Sequence, residues 1–377
     1  MENSRLMDRY YDVVVVGAGA AGVGVGVALK HAGIENFLIL DQHEVGASFE
    51  MWPEETRFIT PSFPTNSIGM LDLNSIAIGV SPAYSIGVEH PTGKQFAKHL
   101  QGVAAFFDLP VQTGEKVTLL TKHEEYFFLH TEKQKLHAKH VIWATGEFQF
   151  PNTAAFPGAE LCRHTSTISS YANLEGDDFL IIGGYESGVD AASHLADCEK
   201  KVRVIDQDDP WAEDSSDPSV ALSTYSIERM QEEWFEEYVK LIPNLTVESV
   251  TQSGNTYKVL TSDGKVWKSK QPPLLANGFA GGVSKISDLF EPREEDGLPL
   301  LNASDESTLT EGLFLCGPSV RHDNHIFCFI YKFRQRFAVV AKEVATRLGL
   351  PAEDLEAYRL WGMYLDDLSC CGEECVC

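Results

Sequence analysis

The sequence is poor in basic residues. Its 377 residues include 30 Lys and Arg against 55 Asp and Glu, which gives a formal net charge of −25. Binding to a nucleic acid or to an anionic membrane surface depends on clustered cations, so an acidic chain is a poor candidate for either role. We therefore expect small-molecule or protein partners and no nucleic acid.

The sequence also lacks a long apolar run. Its most apolar window, residues 13–29, contains five glycines and is too short for a membrane-spanning helix. No basic segment precedes this window and no small-residue cleavage site follows it, which predicts a cytoplasmic protein with reduced thiols. The composition, with 44% hydrophobic residues, and the length predict a globular chain of two or three domains.

What the sequence does contain is a strand, a glycine turn, a helix and a second strand near its beginning. The segments and marker residues are 13–16, Gly17, Gly19, Gly22, a helix to about Ala32, 37–40 and Asp41. Glycines at this spacing let a pyrophosphate approach the backbone at the helix N-terminus, and an acid after the second strand accepts ribose hydroxyls. The pattern predicts a dinucleotide-binding site.

The same pattern occurs a second time. It consists of the segments 179–182, 183–188, 189–196 and 202–205, followed by Asp206. Tyr185 stands where the middle glycine belongs, which crowds the approach of a pyrophosphate. Asp206, with Asp208 and Asp209 beside it, favours NADH, because these carboxylates would repel the 2′-phosphate of NADPH.

Short strands separated by polar turns follow each unit, at 117–144 and 245–268. We therefore predict an α/β protein with two Rossmann-like dinucleotide-binding domains, each carrying an antiparallel meander. The first domain is discontinuous and comprises 1–150 and 275–377, and 151–171 is a linker rich in Pro, Gly, Ser and Thr to a second domain at 172–274. A long helix from about Asn324 to Arg347 is expected to bury its phenylalanines and to expose Arg334 and Arg336.

Two such units, with the segment 312–317 (GLFLCG) near the end, resemble pyridine nucleotide-disulfide reductases and flavin-containing monooxygenases over nearly the whole chain. The resemblance implies FAD in the first domain, NAD(P)H in the second, and a homodimer. The residues it implies for FAD, with the motif residues above, are Gly17, Gly19, Ala20, Ala21, Gly22, Asp41, Gln42, Ser48, Trp52, Val117, Ala144, Thr145, Gly146, Gly317 and Pro318. Those for the nicotinamide nucleotide are Gly183, Gly184, Tyr185, Glu186, Ser187, Gly188 and Asp206.

The segments 46–53 (GASFEMWP) and 57–63 (RFITPSF) are similar to the flavin-side loop of cation-efflux-associated flavoproteins and of bacillithiol-disulfide reductases. Two departures accompany this likeness. The bacillithiol reductases place a cysteine in the first glycine loop, where this chain has Ala20 and Ala21. The acid that usually holds the ribitol chain after the late glycine is Pro318 here.

Four of the eight cysteines lie in the last eight residues: Cys370, Cys371, Cys375 and Cys377. Their soft sulfur ligands could hold Zn(II) or Cu(I), or they could relay electrons as a mobile thiol pair. No Cys-x-x-Cys stands beside either glycine loop, so the tail is the candidate site for both roles.

Three functions follow from these features. The first is an FAD-dependent reductase that passes electrons from NAD(P)H to a thiol, disulfide or metal-thiolate acceptor. The second is a flavin monooxygenase acting on a soft nitrogen or sulfur nucleophile. The third is a flavin-bearing accessory protein of a cation transporter with a metal-binding tail.

Overall fold

The computed structural model describes residues 9–64, 71–215 and 217–370. In chain order the strands are β1 (Arg9–Val16), β2 (Phe37–Leu40), β3 (Val111–Gln112), β4 (Val117–His123), β5 (Tyr126–Thr131), β6 (Lys135–Trp143), β7 (Arg163–His164), β8 (Asp178–Ile182), β9 (Lys201–Ile205), β10 (Val239–Ile242), β11 (Val247–Ser253), β12 (Thr256–Thr261), β13 (Val266–Ser269), β14 (Leu274–Leu275), β15 (Leu313–Leu315), β16 (Arg321–His322) and β17 (His325–Ile326).

The α-helices are α1 (Ala20–His31), α2 (Ala47–Glu50), α3 (Pro82–Ser85), α4 (Gly93–Phe106), α5 (Glu186–Asp197), α6 (Thr224–Met230), α7 (Glu233–Tyr238), α8 (Ile330–Phe333) and α9 (Phe337–Arg347). Short 3₁₀ helices cover Ala159–Leu161, Thr165–Thr167, Gly282–Leu289, Arg334–Arg336, Glu353–Trp361 and Leu368–Cys370. The predicted α/β fold class is confirmed.

The first sheet has the order β3-β2-β1-β6-β5-β4, and β15 pairs with the end of β6. β1 is parallel to both β2 and β6, whereas β4, β5 and β6 form an antiparallel meander. Residues 13–16 of β1 are buried, as expected of a β-branched run with structure on both faces. The carboxyl ends of β1, β2 and β3 therefore lie side by side at one edge of the sheet.

Helix α1 packs tightly between this sheet and the C-terminal helix α9. A side chain at Gly24 would meet the ring of Phe337 at 2.1 Å, and one at Gly26 would meet Ile39 at 2.7 Å. The small residues of α1 thus let two layers approach it closely, which explains why every residue from Ala20 to Leu29 is buried.

The second sheet is fully parallel, with the order β10-β9-β8-β14-β7, and β11, β12 and β13 form a separate antiparallel sheet. β7, which falls within the segment predicted as a linker, is a strand of this second sheet. β15 returns to the first sheet, where it is parallel to β6.

The predicted long helix from about Asn324 is wrong at its start. Residues 325–326 form a short strand, and helical structure begins at Ile330. The predicted exposure of two arginines is also wrong. Arg336 is buried against Asp305, with Nη2 2.7 Å from Oδ1, and Arg334 donates to the backbone oxygens of Asp72 and Ser75. Burial of a guanidinium is tolerated here because carboxylate and carbonyl acceptors surround it.

Candidate functional site

A cleft of about 1180 Å³ runs from the first glycine loop to the second unit. Its volume exceeds the 300–1,000 Å³ typical of pockets for drug-sized ligands, so it suits a larger ligand. It begins at Gly17 and Gly19, and its far end is lined by Tyr185, Glu186 and Ser187 of the second unit.

The first glycine loop is shaped for the approach of a ligand to the backbone. Gly17 has φ +109°, and a side chain there would meet the Ala144 oxygen at 2.3 Å. Only glycine therefore fits at this position. A side chain at Gly22 would meet the Gly17 oxygen at 1.8 Å, so the first turn of α1 packs closely on the loop. At Gly19, the N-cap of α1, an added Cβ finds nothing within 4 Å. Gly19 therefore leaves open space at a helix N-terminus, where an anion is stabilised.

Asp41 lies at the end of β2, beside this loop. Its Oδ2 accepts from the Ala18 backbone N–H at 2.7 Å, and its Oδ1 accepts from that of His43 at 2.7 Å. Burial raises the pKa of Asp41, although these two hydrogen bonds lower it. The carboxylate is thus held in a fixed orientation, and each of its oxygens retains a lone pair for a further hydrogen bond.

Most of the residues predicted for FAD line this cleft. They are Gly17, Gly19, Ala20, Ala21, Asp41, Gln42, Ser48, Trp52, Val117, Ala144, Thr145, Gly146 and Pro318. Gly22 and Gly317 do not line it. Gly22 serves the packing of α1 instead, and an added Cβ at Gly317 would meet the Ala21 side chain at 3.2 Å.

Gln149, which the sequence analysis missed, joins two of these residues. Its Oε1 accepts from Gln42 Nε2 at 2.5 Å, and its Nε2 donates to Ser48 Oγ at 2.9 Å. The signal that could have found it is its position three residues after Gly146, in the segment that crosses the cleft. The three side chains form one polar chain along the cleft wall.

Charged groups also line this cleft, among them Glu147 and Arg321. Burial raises the pKa of Glu147, and Arg321 beside it lowers that pKa in part. Arg321 Nη1 donates to the backbone oxygens of Pro318 and Val320 at 2.6 and 2.7 Å. Cys328 also lines the cleft, and burial raises the pKa of its thiol. None of these positions was identified as part of the site from sequence.

The second glycine loop repeats the geometry of the first. Gly183 has φ +99° and would meet the Ala276 oxygen at 2.4 Å, and Gly188 would meet the Gly183 oxygen at 2.0 Å. Asp206 accepts from Gly184 N–H at 2.5 Å and from Asp208 N–H at 2.9 Å. The backbone of a dinucleotide-binding turn is therefore present.

This second loop is covered by the segment that follows β9, residues 206–215 and 217–223, which we call the covering loop. The ring of Trp211 lies 2.2 Å from the position of a Cβ on Gly184. Tyr185 donates its hydroxyl to the backbone oxygens of Pro218 and Ala221, at 2.7 and 2.6 Å. Gly183, Gly184, Gly188 and Asp206 do not line the cleft.

Glu186 also binds the covering loop. Its Oε1 accepts from the Ser223 backbone N–H at 2.5 Å, and its Oε2 accepts from Ser226 Oγ at 2.6 Å. Burial raises the pKa of Glu186, whereas these hydrogen bonds lower it. When ionised, this side chain places a negative charge in the first turn of α5.

The covering loop is also tied to the first unit. Lys332 Nζ, buried at the end of α8, donates to Asp217 Oδ1 and Ser219 Oγ, both at 2.6 Å. Ser219 Oγ lies 3.2 Å from Cys328 Sγ. The loop therefore spans from the second glycine loop to the wall of the cleft.

Two carboxylates form hydrogen bonds between the first unit and the second unit, at a place we call the crossing. Asp190 of α5 accepts from Thr56 Oγ1 at 2.7 Å and from Arg229 Nη1 at 2.8 Å. Burial would raise the pKa of Asp190, but His194 and Arg229 outweigh it and lower the pKa to about 2.

The second carboxylate belongs to Glu55 in the first unit. It accepts from Ser170 Oγ at 2.5 Å, from the Tyr171 N–H at 3.1 Å and from the Ala172 N–H at 3.2 Å. Burial raises the pKa of Glu55, but these hydrogen bonds outweigh it, so that the pKa lies below its ordinary value.

Most of the predicted cysteine site lies outside the described residues. Cys370 ends a 3₁₀ turn, and Cys371, Cys375 and Cys377 fall beyond the part of the chain that the structure describes. Within residues 9–64, 71–215 and 217–370, no group of three or more His, Cys, Asp or Glu could hold a metal ion. In that same part of the chain, no helix is both long and apolar enough to cross a membrane.

Comparison with known proteins places this architecture among relatives. The chain is 27% identical over 194 residues to the uncharacterized oxidoreductase CzcO of Bacillus subtilis, covering 49% of this chain and 52% of that protein. It is 25% identical over 234 residues to the bacilliredoxin reductase Bdr of the same species, covering 59% and 66%. The chain thus spans between half and two thirds of the length of these curated relatives.

Solved structures show the same fold. The bacillithiol disulfide reductase Bdr of Staphylococcus aureus superposes with a TM-score of 0.73 at 19% identity, over 90% of this chain and 99% of that chain. A flavin-containing monooxygenase of Stenotrophomonas maltophilia gives 0.68 at 16% identity, over 90% and 99%. The model of one family, described as pyridine nucleotide-disulphide oxidoreductase, matches residues 14–317. The chain belongs to the pyridine nucleotide-disulphide oxidoreductase family.

Proposed function

We propose that this protein is an FAD-dependent oxidoreductase that takes electrons from NAD(P)H and passes them to a thiol, disulfide or metal-thiolate acceptor. The observation that carries the proposal is one continuous cleft, which begins at an open glycine loop and reaches the second unit at Tyr185, Glu186 and Ser187. The family membership supports pyridine nucleotide chemistry. The relative named bacilliredoxin reductase supports a thiol or disulfide acceptor.

The residues of the first unit fit FAD. Gly19 leaves the space and the N–H donors that a pyrophosphate needs, and Asp41 presents acceptor lone pairs for ribose hydroxyls. When bound, FAD supplies a two-electron carrier between nicotinamide and acceptor. Trp52 and Phe58, whose ring centroids lie 4.9 Å apart, form an aromatic part of the cleft wall. Glu147, with its raised pKa, is suited to hold a proton on its carboxyl group.

NAD(P)H would bind at the second glycine loop. Because Trp211 packs on Gly184 and Tyr185 is bonded to the covering loop, entry of the nucleotide requires these contacts to open. We propose that NADH is preferred over NADPH. Asp206, Asp208 and Asp209 would repel an additional phosphate at the ribose.

In this proposal, thiol groups pass the electrons to the acceptor. Among the described cysteines, Cys328 lines the cleft. Cys370, Cys371, Cys375 and Cys377 serve, in this proposal, as an electron relay or as a metal site. By resemblance, we also propose a homodimer in the cytoplasm and, as a partner, either a small thiol protein or a cation transporter.

A flavin monooxygenase is the second candidate. No cysteine pair stands beside either glycine loop in the sequence, and a flavin-containing monooxygenase shares the fold. This function predicts oxygen consumption coupled to oxidation of NAD(P)H. Reduction of a disulfide without oxygen uptake would contradict it.

The test is to purify the protein, measure its flavin absorbance, and mix it anaerobically with NADH and separately with NADPH. We expect the flavin absorbance to bleach, faster with NADH. A disulfide added afterwards should restore the absorbance without oxygen, whereas restoration by oxygen and substrate alone would favour the monooxygenase. A protein that binds no FAD, or flavin that neither nucleotide bleaches, would overturn the proposal.

A further inference from the structure

Three residues of the covering loop, Asp217, Pro218 and Ser219, contact both units, and we call them the strap. Lys332 Nζ of the first unit donates to Asp217 Oδ1 and to Ser219 Oγ. The Pro218 backbone oxygen accepts the hydroxyl of Tyr185, the N-cap of α5 in the second glycine loop. The strap therefore connects a helix of the first unit to the second glycine loop.

Lys332 and Asp217 form a largely buried ion pair. The Lys332 side chain is 6% exposed, and the Asp217 side chain is 24% exposed. Burial raises the pKa of Asp217, but the hydrogen bonds from Lys332 and Ser219 outweigh it, so that the pKa lies below its ordinary value. An ammonium group removed from water is stabilised by the acceptors that surround it. Lys332 therefore holds the strap in this position.

The covering loop contributes to both candidate sites. Pro218 and Ser219 of the strap line the cleft, as does Ile330 of α8, the helix that carries Lys332. In the same loop, Trp211 occupies the space above Gly184 of the second glycine loop. A contact made at the wall of the cleft thus fixes the loop that covers the second glycine turn.

The closed arrangement of this loop leaves one buried donor without a partner. Trp211 Nε1 is buried, and no described residue accepts its hydrogen bond. A buried donor left unpaired is destabilising, and movement of the loop would return this N–H to water. The closed position is therefore opposed at Trp211 and is maintained by other contacts of the loop, among them that of Lys332.

We propose that Lys332 and the strap form a latch between the two units, which keeps the covering loop closed over the second glycine loop and thereby lowers the affinity for NADH. The apparent affinity of a site that is open for a fraction of the time is reduced by that fraction. Breaking the latch raises the open fraction, so NADH binds more tightly although none of its own contacts has changed. This inference rests on the proposed function, because it assumes that NADH binds at the second glycine loop.

The test replaces Lys332 with methionine, which has a similar volume but neither a charge nor a donor. The FAD-loaded proteins are mixed anaerobically with increasing concentrations of NADH, and the rate of flavin bleaching is measured. We expect Lys332→Met to lower the half-saturating NADH concentration about tenfold, because the closed state loses hydrogen bonds from a charged donor. A loss of structure would weaken the binding of NADH and would not tighten it.

Hydrogen–deuterium exchange of the covering loop, without nucleotide, is the second measurement. Its amides should exchange faster in Lys332→Met, because the loop opens more often. The matched control is Lys139→Met, which removes a lysine that donates to Asp12 Oδ1 at 2.8 Å and does not line the cleft. This control should change neither measurement. Asp217→Asn removes the charge of the other partner, should act in the same direction as Lys332→Met, and decides the test if Lys332→Met does not fold.

The outcomes separate the latch from the proposed function. An unchanged or raised half-saturating NADH concentration in Lys332→Met and Asp217→Asn would overturn the latch and leave the proposed function intact. Tighter binding without faster exchange in the covering loop would also overturn it, since the site would have changed by another route. Bleaching of the variants but not of the wild-type protein would support the latch. If NADH bleaches none of these proteins, the proposed function itself fails.

Discussion

The two glycine loops share a backbone but differ in what lies above it. In both, a glycine with positive φ packs on a neighbouring strand, and an aspartate after the second strand accepts two backbone N–H groups. The helix N-cap is Gly19 in the first loop and Tyr185 in the second. The first N-cap faces open space, whereas the second is bonded to the protein's own covering loop.

The difference originates in the connection that follows the second strand of each unit. Six residues, 41–46, separate β2 from α2, but residues 206–223 separate β9 from α6. The longer connection folds back over its own glycine turn, where Trp211 occupies the space above Gly184. A backbone shaped to bind a dinucleotide therefore does not by itself make an accessible binding site.

The largest expected effect is on the open loop. Gly19→Val fills the empty space at the helix N-terminus, so we expect FAD affinity to fall at least about a hundredfold. The backbone at Gly19, with φ −81°, accommodates a side chain, so the thermal unfolding midpoint should change little. Flavin absorbance after gel filtration measures the loss. A folded Gly19→Val protein that keeps its yellow colour would contradict the assignment of the cofactor site.

The next prediction concerns the attachment of the second unit to the first. Because the pKa of Asp190 in the folded protein is about 2, below the unfolded value of 3.8, ionised Asp190 stabilises the fold above about pH 4. This stabilisation, about 2 kcal/mol, is lost as the pH falls towards 2. Asp190→Asn should therefore destabilise the protein at pH 7, and the difference from wild type should shrink below pH 4.

Urea unfolding at a series of pH values measures this difference. The control is Asp197→Asn, whose carboxylate is half exposed and lies 3.7 Å from His194. This control should cost less than about 1 kcal/mol, because solvent screens the half-exposed carboxylate of Asp197. A constant difference between wild type and Asp190→Asn from pH 7 to pH 2 would show that the charge of Asp190 contributes nothing.

A smaller effect is expected at the covered loop. Tyr185→Phe removes the hydroxyl that donates to Pro218 and Ala221, and a hydrogen bond of this kind contributes about 1 kcal/mol. If closure competes with nucleotide binding, NADH should bind about fivefold more tightly to the variant. Tryptophan fluorescence titration gives the dissociation constant. Tyr225→Phe, with its ring against His90, is the matched control.

The smallest effect is on nucleotide choice. Asp206→Asn keeps an acceptor for the Gly184 N–H but removes the charge, so the preference for NADH over NADPH should narrow by about threefold. The ratio of the two rates of anaerobic flavin bleaching measures it. An unchanged ratio would show that the ribose of the nucleotide does not lie beside Asp206.

The repeated fold could be predicted from the sequence because it depends on local patterns. Buried Val-rich strands, glycine turns and the terminal acids Asp41 and Asp206 each specify their element within about thirty residues. The covering loop could not be predicted, because the contacts of Tyr185 and Trp211 join residues that no periodic pattern relates. The burial of Arg336 could not be predicted for a similar reason. Its partner Asp305 lies 31 positions away and neutralises its charge inside the core.

The candidate site could likewise be predicted only where it depends on local sequence motifs. Residues within the glycine motifs follow from spacing, whereas Glu115, Gln149 and Arg321 enter the cleft through strand order and loop crossings. Only the assembled sheet shows that Glu115 lies beside Asp41.

The carboxylate of Glu55 has a mechanical consequence. It receives three hydrogen bonds from residues 170–172, at the point where the chain enters the second unit. A rigid movement of the second unit away from this crossing would break all three at once, together with the bond from Thr56 to Asp190. Movement of the covering loop away from the second glycine loop breaks none of these hydrogen bonds. Opening of the nucleotide site by movement of the covering loop therefore leaves the junction between the two units intact.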